Sequence, residues 1–79
     1  MSKADKFLEK MRNNPRDWNL ENVITACNQN GLDIRAGKGS HHVVSHEKLP
    51  MMVTIPAHRP IKPIYIKKLV ELIDKVREL

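Results

Sequence analysis

The chain has little of what several large function classes depend on. Of its 79 residues only Phe7, Trp18 and Tyr65 are aromatic, which disfavours RNA modules that read bases by stacking them on several rings. The single cysteine, Cys27, excludes an intrachain disulfide and any zinc or iron–sulfur site built from several thiolates. No apolar run approaches the roughly 20 residues of a membrane span. The opening residues MSKADKF have no signal-peptide core, so the expectation is a small cytoplasmic protein with no membrane partner. There are no repeats, low-complexity tracts or dividing linkers, and residues 1–79 read as one domain. A domain this small buries only roughly 60% of its unfolded surface. That leaves no room for a large cofactor cavity, and no cofactor is expected.

Acidic residues are also scarce, but only in the middle. Residues 1–34 balance five cations against five anions, and residues 69–79 carry −1. Residues 35–68 carry Arg35, Lys38, Lys48, Arg59, Lys62, Lys67 and Lys68 against Glu47 alone, a net +6 within a chain total of +5. All four histidines, His41, His42, His46 and His58, lie in that same segment. Such a basic field attracts nucleic acid or an acidic protein; a solvated basic surface explains the same charge.

The apolar pattern reads as three helices and three strands. Residues 2–12 form a helix capped by Ser2 with Asp5 at the capping-box position, and Phe7, Leu8 and Met11 make its apolar stripe. Pro15 breaks the chain. Asn19 caps a second helix, with Leu20, Val23, Ile24 and Cys27 buried and Asn30-Gly31 at its end. The period then changes to two, giving a first strand around Leu32 and Ile34, a second over His41–His46 and a third over Met51–Ile55. The apolar run of the third strand suggests a central or well-covered place in the sheet. Residues 58–63 read as a loop, and the last helix runs from Pro63 to Arg77, with Ile66, Leu69, Val70, Ile73 and Val76 as its buried stripe. The order α-α-β-β-β-α with short turns predicts an α+β fold: a three-stranded antiparallel sheet with helices packed on one face.

The stretch that carries chemistry is Gly37-Lys38-Gly39-Ser40-His41-His42. Its glycines let backbone approach a phosphate closely. A histidine takes a proton near neutral pH, and Lys38 supplies positive charge. Those are the parts needed to cleave RNA without a metal: a base removes the ribose 2′-hydroxyl proton, and the oxygen attacks the adjacent phosphate. Taken alone the pattern is also that of an ordinary glycine-rich hairpin turn with a histidine beside it. A zinc site from His41, His46 and His58 lacks typical ligand spacing.

The block Gly39-Ser40-His41-His42, a strand, and then Val53-Thr54-Ile55-Pro56-Ala57-His58 together resemble the HicA family of toxin mRNA interferases. That family has a helix, a Gly-Ser-His turn into a strand, a hairpin ending in a hydrophobic-Pro-x-His motif, and a final helix. The resemblance covers residues 19–76, with 1–18 as an N-terminal helical extension. It implies a fold like the double-stranded RNA-binding domain, metal-independent ribonuclease activity on mRNA, and neutralisation by a HicB-like antitoxin. The implied catalytic histidine is His41, with His42 as the alternate; adjacent strand residues point to opposite faces, so only one can meet a substrate. Lys38, Gly39, Ser40, Arg59, Lys62, Lys67 and Lys68 are the expected RNA- and phosphate-binding residues, although a solvated face explains Lys67 and Lys68 equally well. His58 is expected to support the fold through a hydrogen bond rather than wall the site. Three features depart from the family pattern: residues 1–18, the turn Glu47-Lys48-Leu49-Pro50 without Asp-Gly, and Arg59-Pro60-Ile61-Lys62-Pro63 in place of a Lys-Gly run. A module of the same fold that binds RNA or protein without catalysis is the alternative.

Overall fold

A computed structural model describes residues 2–79. Its first helix, α1 (Lys3–Asn13), begins where the capping logic places it. Ser2 Oγ accepts the Asp5 N–H at 3.1 Å, and the Asp5 carboxylate accepts the Ser2 N–H at 3.2 Å. The second helix, α2 (Leu20–Gln29), is closed the same way by Asn19 and Asn22, both bonds at 3.0 Å. Asparagine thus fills the third position, where glutamate or glutamine is usual. The chain leaves α2 through Gly31, whose φ of +69° lies in the left-handed region that glycine adopts without strain.

Three strands follow: β1 (Asp33–Ala36), β2 (His41–Ser45) and β3 (Met52–Pro56), antiparallel in the order β1-β2-β3. The last helix, α3 (Pro63–Arg77), starts with proline in its first turn, where a missing N–H costs nothing. It is about 22 Å long and lies over β3, while α2 packs beside β1 and α1 packs on both other helices. The architecture is the α+β arrangement read from the sequence. The strand boundaries move by a residue: β2 stops at Ser45, and β3 includes Pro56. The position expected for β3 is narrowed too. It is an edge strand rather than a central one, but it is well covered: Val53, Ile55 and Pro56 are buried, α3 packs on it, and Met52 is exposed.

Register decides which residues share a face. Ile34, Val44 and Val53 lie side by side, and Ala36, His42 and Ile55 form the next row. This face meets the helices, because Val44, Val53 and Ile55 are buried in one cluster with Val23, Cys27, Ile66, Leu69 and Ile73. The opposite face carries Asp33, Arg35, His41, Val43, Ser45, Met52, Thr54 and Pro56; of these only Pro56 is buried, so the face is largely uncovered. Cys27 is a packing residue within the cluster, and burial pushes its thiol up to about 11.

Residues 3–18 belong to the same core. Leu8 and Met11 are buried at 3% and 0% exposure. Phe7 meets Trp18 edge-on with centroids 5.4 Å apart. Ile61 is 1% exposed, although it sits between Pro60 and Pro63 in what reads as a loop; its N–H donates to the Trp18 carbonyl at 2.8 Å. Among the described residues no helix is long and apolar enough to cross a membrane.

Two arginines tie α1 to α3. Arg12 forks onto Asp74 with both bonds at 2.7 Å, and Arg77 reaches Asp5 at 2.6 Å and the Asn30 side chain at 2.9 Å. The Arg12 guanidinium holds the Asp74 carboxyl below its ordinary 3.8, and Arg77, followed by the Ser2 cap, does the same for Asp5. A carboxylate depressed in the folded state contributes stability that is present above its unfolded value and is lost as pH falls through the folded one. Thermal stability should therefore fall as pH drops from about 4, and Arg12→Met should flatten that fall. The Arg12–Asp74 pair is part-exposed, so its share is below about 1 kcal/mol. An identical acid slope in melting curves of the Arg12→Met variant would refute the assignment.

Candidate active site

The Gly37–His42 segment is the β1–β2 loop and the first two residues of β2. The Gly37 N–H donates to the His41 carbonyl at 2.7 Å, and the His41 N–H donates to the Lys38 carbonyl at 3.1 Å. The three intervening residues must reverse the chain, and Gly39 does so at φ +60°, where a Cβ would be strained. At the same end of the sheet the Ala57 N–H donates to the Ser40 carbonyl at 2.8 Å, one step past the last β2–β3 pair, His41 with Pro56. That bond ties the two sequence motifs, Gly39-Ser40-His41-His42 and Val53–His58, into one corner.

The two adjacent histidines diverge. His41 is exposed on the uncovered face. Its Nδ1 lies 3.1 Å from the Lys38 carbonyl oxygen. A carbonyl only accepts, so in the neutral ring this contact places the proton on Nδ1 and leaves Nε2 as the acceptor nitrogen. His42 is half-buried on the helix-covered face, between Ala36 and Ile55, with Nδ1 3.3 Å from the Ser40 carbonyl. The neutral tautomer of His46 is the opposite one: its Nδ1 accepts the Lys48 N–H at 3.1 Å and closes the β2–β3 turn. It is therefore a turn-forming residue.

The remaining predicted residues divide into two groups. Lys38 and Arg59 are exposed, Lys38 in the turn that leads into His41 and Arg59 two residues beyond Ala57, whose N–H bonds to Ser40. Lys38 contributes through its carbonyl as well as its charge, since that oxygen receives both the backbone N–H and the ring nitrogen of His41. Lys62 is nearby in sequence and lines a cleft of about 400 Å³ with Arg16, Asp17, Pro60, Ile61 and Pro63. Lys67 faces elsewhere: it lines a separate groove between α1 and α3, beside Glu71 and Asp74. Lys68 is exposed on α3. His58 is exposed and makes no hydrogen bond among the described residues, so the expected fold-supporting bond is absent; the Ala57 N–H fills that role. Arg16 was not anticipated as a neighbour of this region, because the contact between residues 16–18 and Pro60–Pro63 is tertiary.

None of the cations in residues 35–68 takes part in an ion pair among the described residues; the pairs involve Arg12 and Arg77 alone. Their charge is therefore available to an external anion. Among the described residues no three His, Cys, Asp or Glu side chains gather as metal ligands would. His41 opens β2 and His46 follows its last residue, about 17 Å apart along an extended chain.

No protein-family model, curated protein or solved structure matches the chain.

Proposed function

We propose that this protein is a HicA-like toxin: a metal-independent endoribonuclease that cleaves mRNA with His41 as general base and is neutralised by a HicB-like antitoxin. The observation that carries the reading is the contact between His41 Nδ1 and the Lys38 carbonyl on an exposed histidine. Its Nδ1 is engaged by the Lys38 carbonyl, so its free nitrogen can accept a proton on an exposed face. In the reaction Nε2 takes the ribose 2′-hydroxyl proton, and the 2′-oxygen attacks the adjacent phosphorus. The bond to the 5′-oxygen breaks, and that oxygen leaves with a proton from water. The products are a 2′,3′-cyclic phosphate and a 5′-hydroxyl. Lys38 and Arg59 stabilise the added charge on the phosphate, and Gly39 and Ser40 shape the turn.

The test is incubation of the purified protein with end-labelled mRNA in excess EDTA. Fragments bearing 2′,3′-cyclic phosphate and 5′-hydroxyl ends are expected. Intact RNA that nevertheless shifts in a binding assay would replace the enzyme with a binding module of the same fold. Cleavage that requires an added metal would overturn the mechanism.

A further inference from the structure

The sheet has two free edges, and only one of them is guarded. Hydrogen-bond parity identifies the groups each edge exposes. The Ala57–Ser40 bond makes Ala57, Ile55 and Val53 the β3 residues whose backbone groups face β2. Met52, Thr54 and Pro56 therefore aim their backbone groups away from the sheet. No other hydrogen bond of the described residues uses the Met52 or Thr54 groups. The other edge, β1, carries Asp33 and Arg35 within its four residues, and charges of this kind discourage edge pairing. β3 carries none, and residues 49–57 are uncharged throughout. Met52, on the uncovered face of this edge, is 65% exposed.

We infer that β3 is a self-pairing edge, on which a second copy of this chain adds its own β3 antiparallel about a two-fold axis at Thr54. The occupant follows from the donors and acceptors. Proline at 56 removes one outward N–H, so each edge offers two donors, Met52 and Thr54. A two-fold at Thr54 sets Thr54 against Thr54 of the second copy and Met52 against its Pro56. Both donors on each chain then find carbonyls, and no donor is left facing a missing partner. The same register lays exposed Met52 beside Pro56, which is itself already buried on its own chain, so Pro56 joins the new strand pair through its backbone carbonyl. The result is a six-stranded sheet with both uncovered faces on one side. Pairing of one short strand buries far less than the roughly 800 Å² per partner of a stable complex, so the dimer is weak and concentration-dependent.

Sedimentation velocity across micromolar to millimolar protein tests this, together with amide exchange by NMR. The wild type should shift from monomer toward dimer with concentration, with slowed exchange confined to Met52 and Thr54. Thr54→Pro removes an outward donor without breaking a bond to β2, and Thr54→Lys places a charge on the edge. Both should stay monomeric at every concentration. If Thr54→Pro does not fold, Thr54→Lys and the wild-type exchange pattern still decide. A wild type that remains monomeric throughout, or a dimer that persists in folded Thr54→Lys, would overturn the inference. So would slowed exchange that appears only on addition of a different protein.

Discussion

A chain that begins at Asn19 is expected not to fold, although residues 19–76 contain every motif that resembles the toxin family. Removing residues 1–18 takes Leu8 and Met11 out of the core, where they are 3% and 0% exposed. Replacing one such side chain by alanine costs about 2–5 kcal/mol, and the deletion removes two. It also removes Trp18, whose carbonyl accepts the N–H of buried Ile61, and a buried donor left unpaired costs about 1–3 kcal/mol more. A domain of this size has a total stability of roughly 4–12 kcal/mol at the usual per-residue value. The loss therefore meets or exceeds what is available. Circular dichroism of the truncated chain should show no cooperative melt. The milder Met11→Ala should lower the melting temperature by about 10 °C or more, since each kcal/mol moves a small domain by about 4–8 °C. A truncated chain that melts where the full chain does would mean that α1 is an appendage after all.

That expectation depends on contacts that local sequence pattern does not carry. The capping pairs Ser2–Asp5 and Asn19–Asn22, the proline at the start of α3 and the alternation at Leu32 and Ile34 are all short-range, so each can be read directly. Ile61 cannot, because a single apolar residue between prolines has no period, and its burial depends on Trp18 in another part of the chain. The Arg12–Asp74 and Arg77–Asp5 pairs span 62 and 72 positions and leave no local signature. The place of β3 at the sheet edge is hidden for a related reason. An apolar run shows that a strand is partly covered, not on which side its neighbours lie. At the candidate site, the turn and its residue types are legible, but the Lys38 carbonyl contact is not, because it is made by main chain.

The separation of roles between His41 and His42 is the sharpest consequence of the register, because a slip of one residue would exchange their faces. Under the proposed mechanism, His41→Ala removes the base and should lower the cleavage rate about 10²–10⁴-fold, the usual contribution of a positioned proton acceptor. The melting temperature should stay nearly unchanged, because the His41 side chain is exposed. His42→Ala should show the reverse. That ring is half-buried beside Ile55 on the helix-covered face, so its loss should lower the melting temperature and leave the rate within a few-fold. Added imidazole should partly restore cleavage to His41→Ala, because a diffusible base can occupy the vacated space, and should do nothing for His42→Ala. A purely structural effect at position 41 would not respond to imidazole. If His42→Ala abolishes cleavage while His41→Ala cleaves normally, the chemistry takes place on the helix-packed side, and the uncovered face, with its free Nε2, is not where RNA is cut.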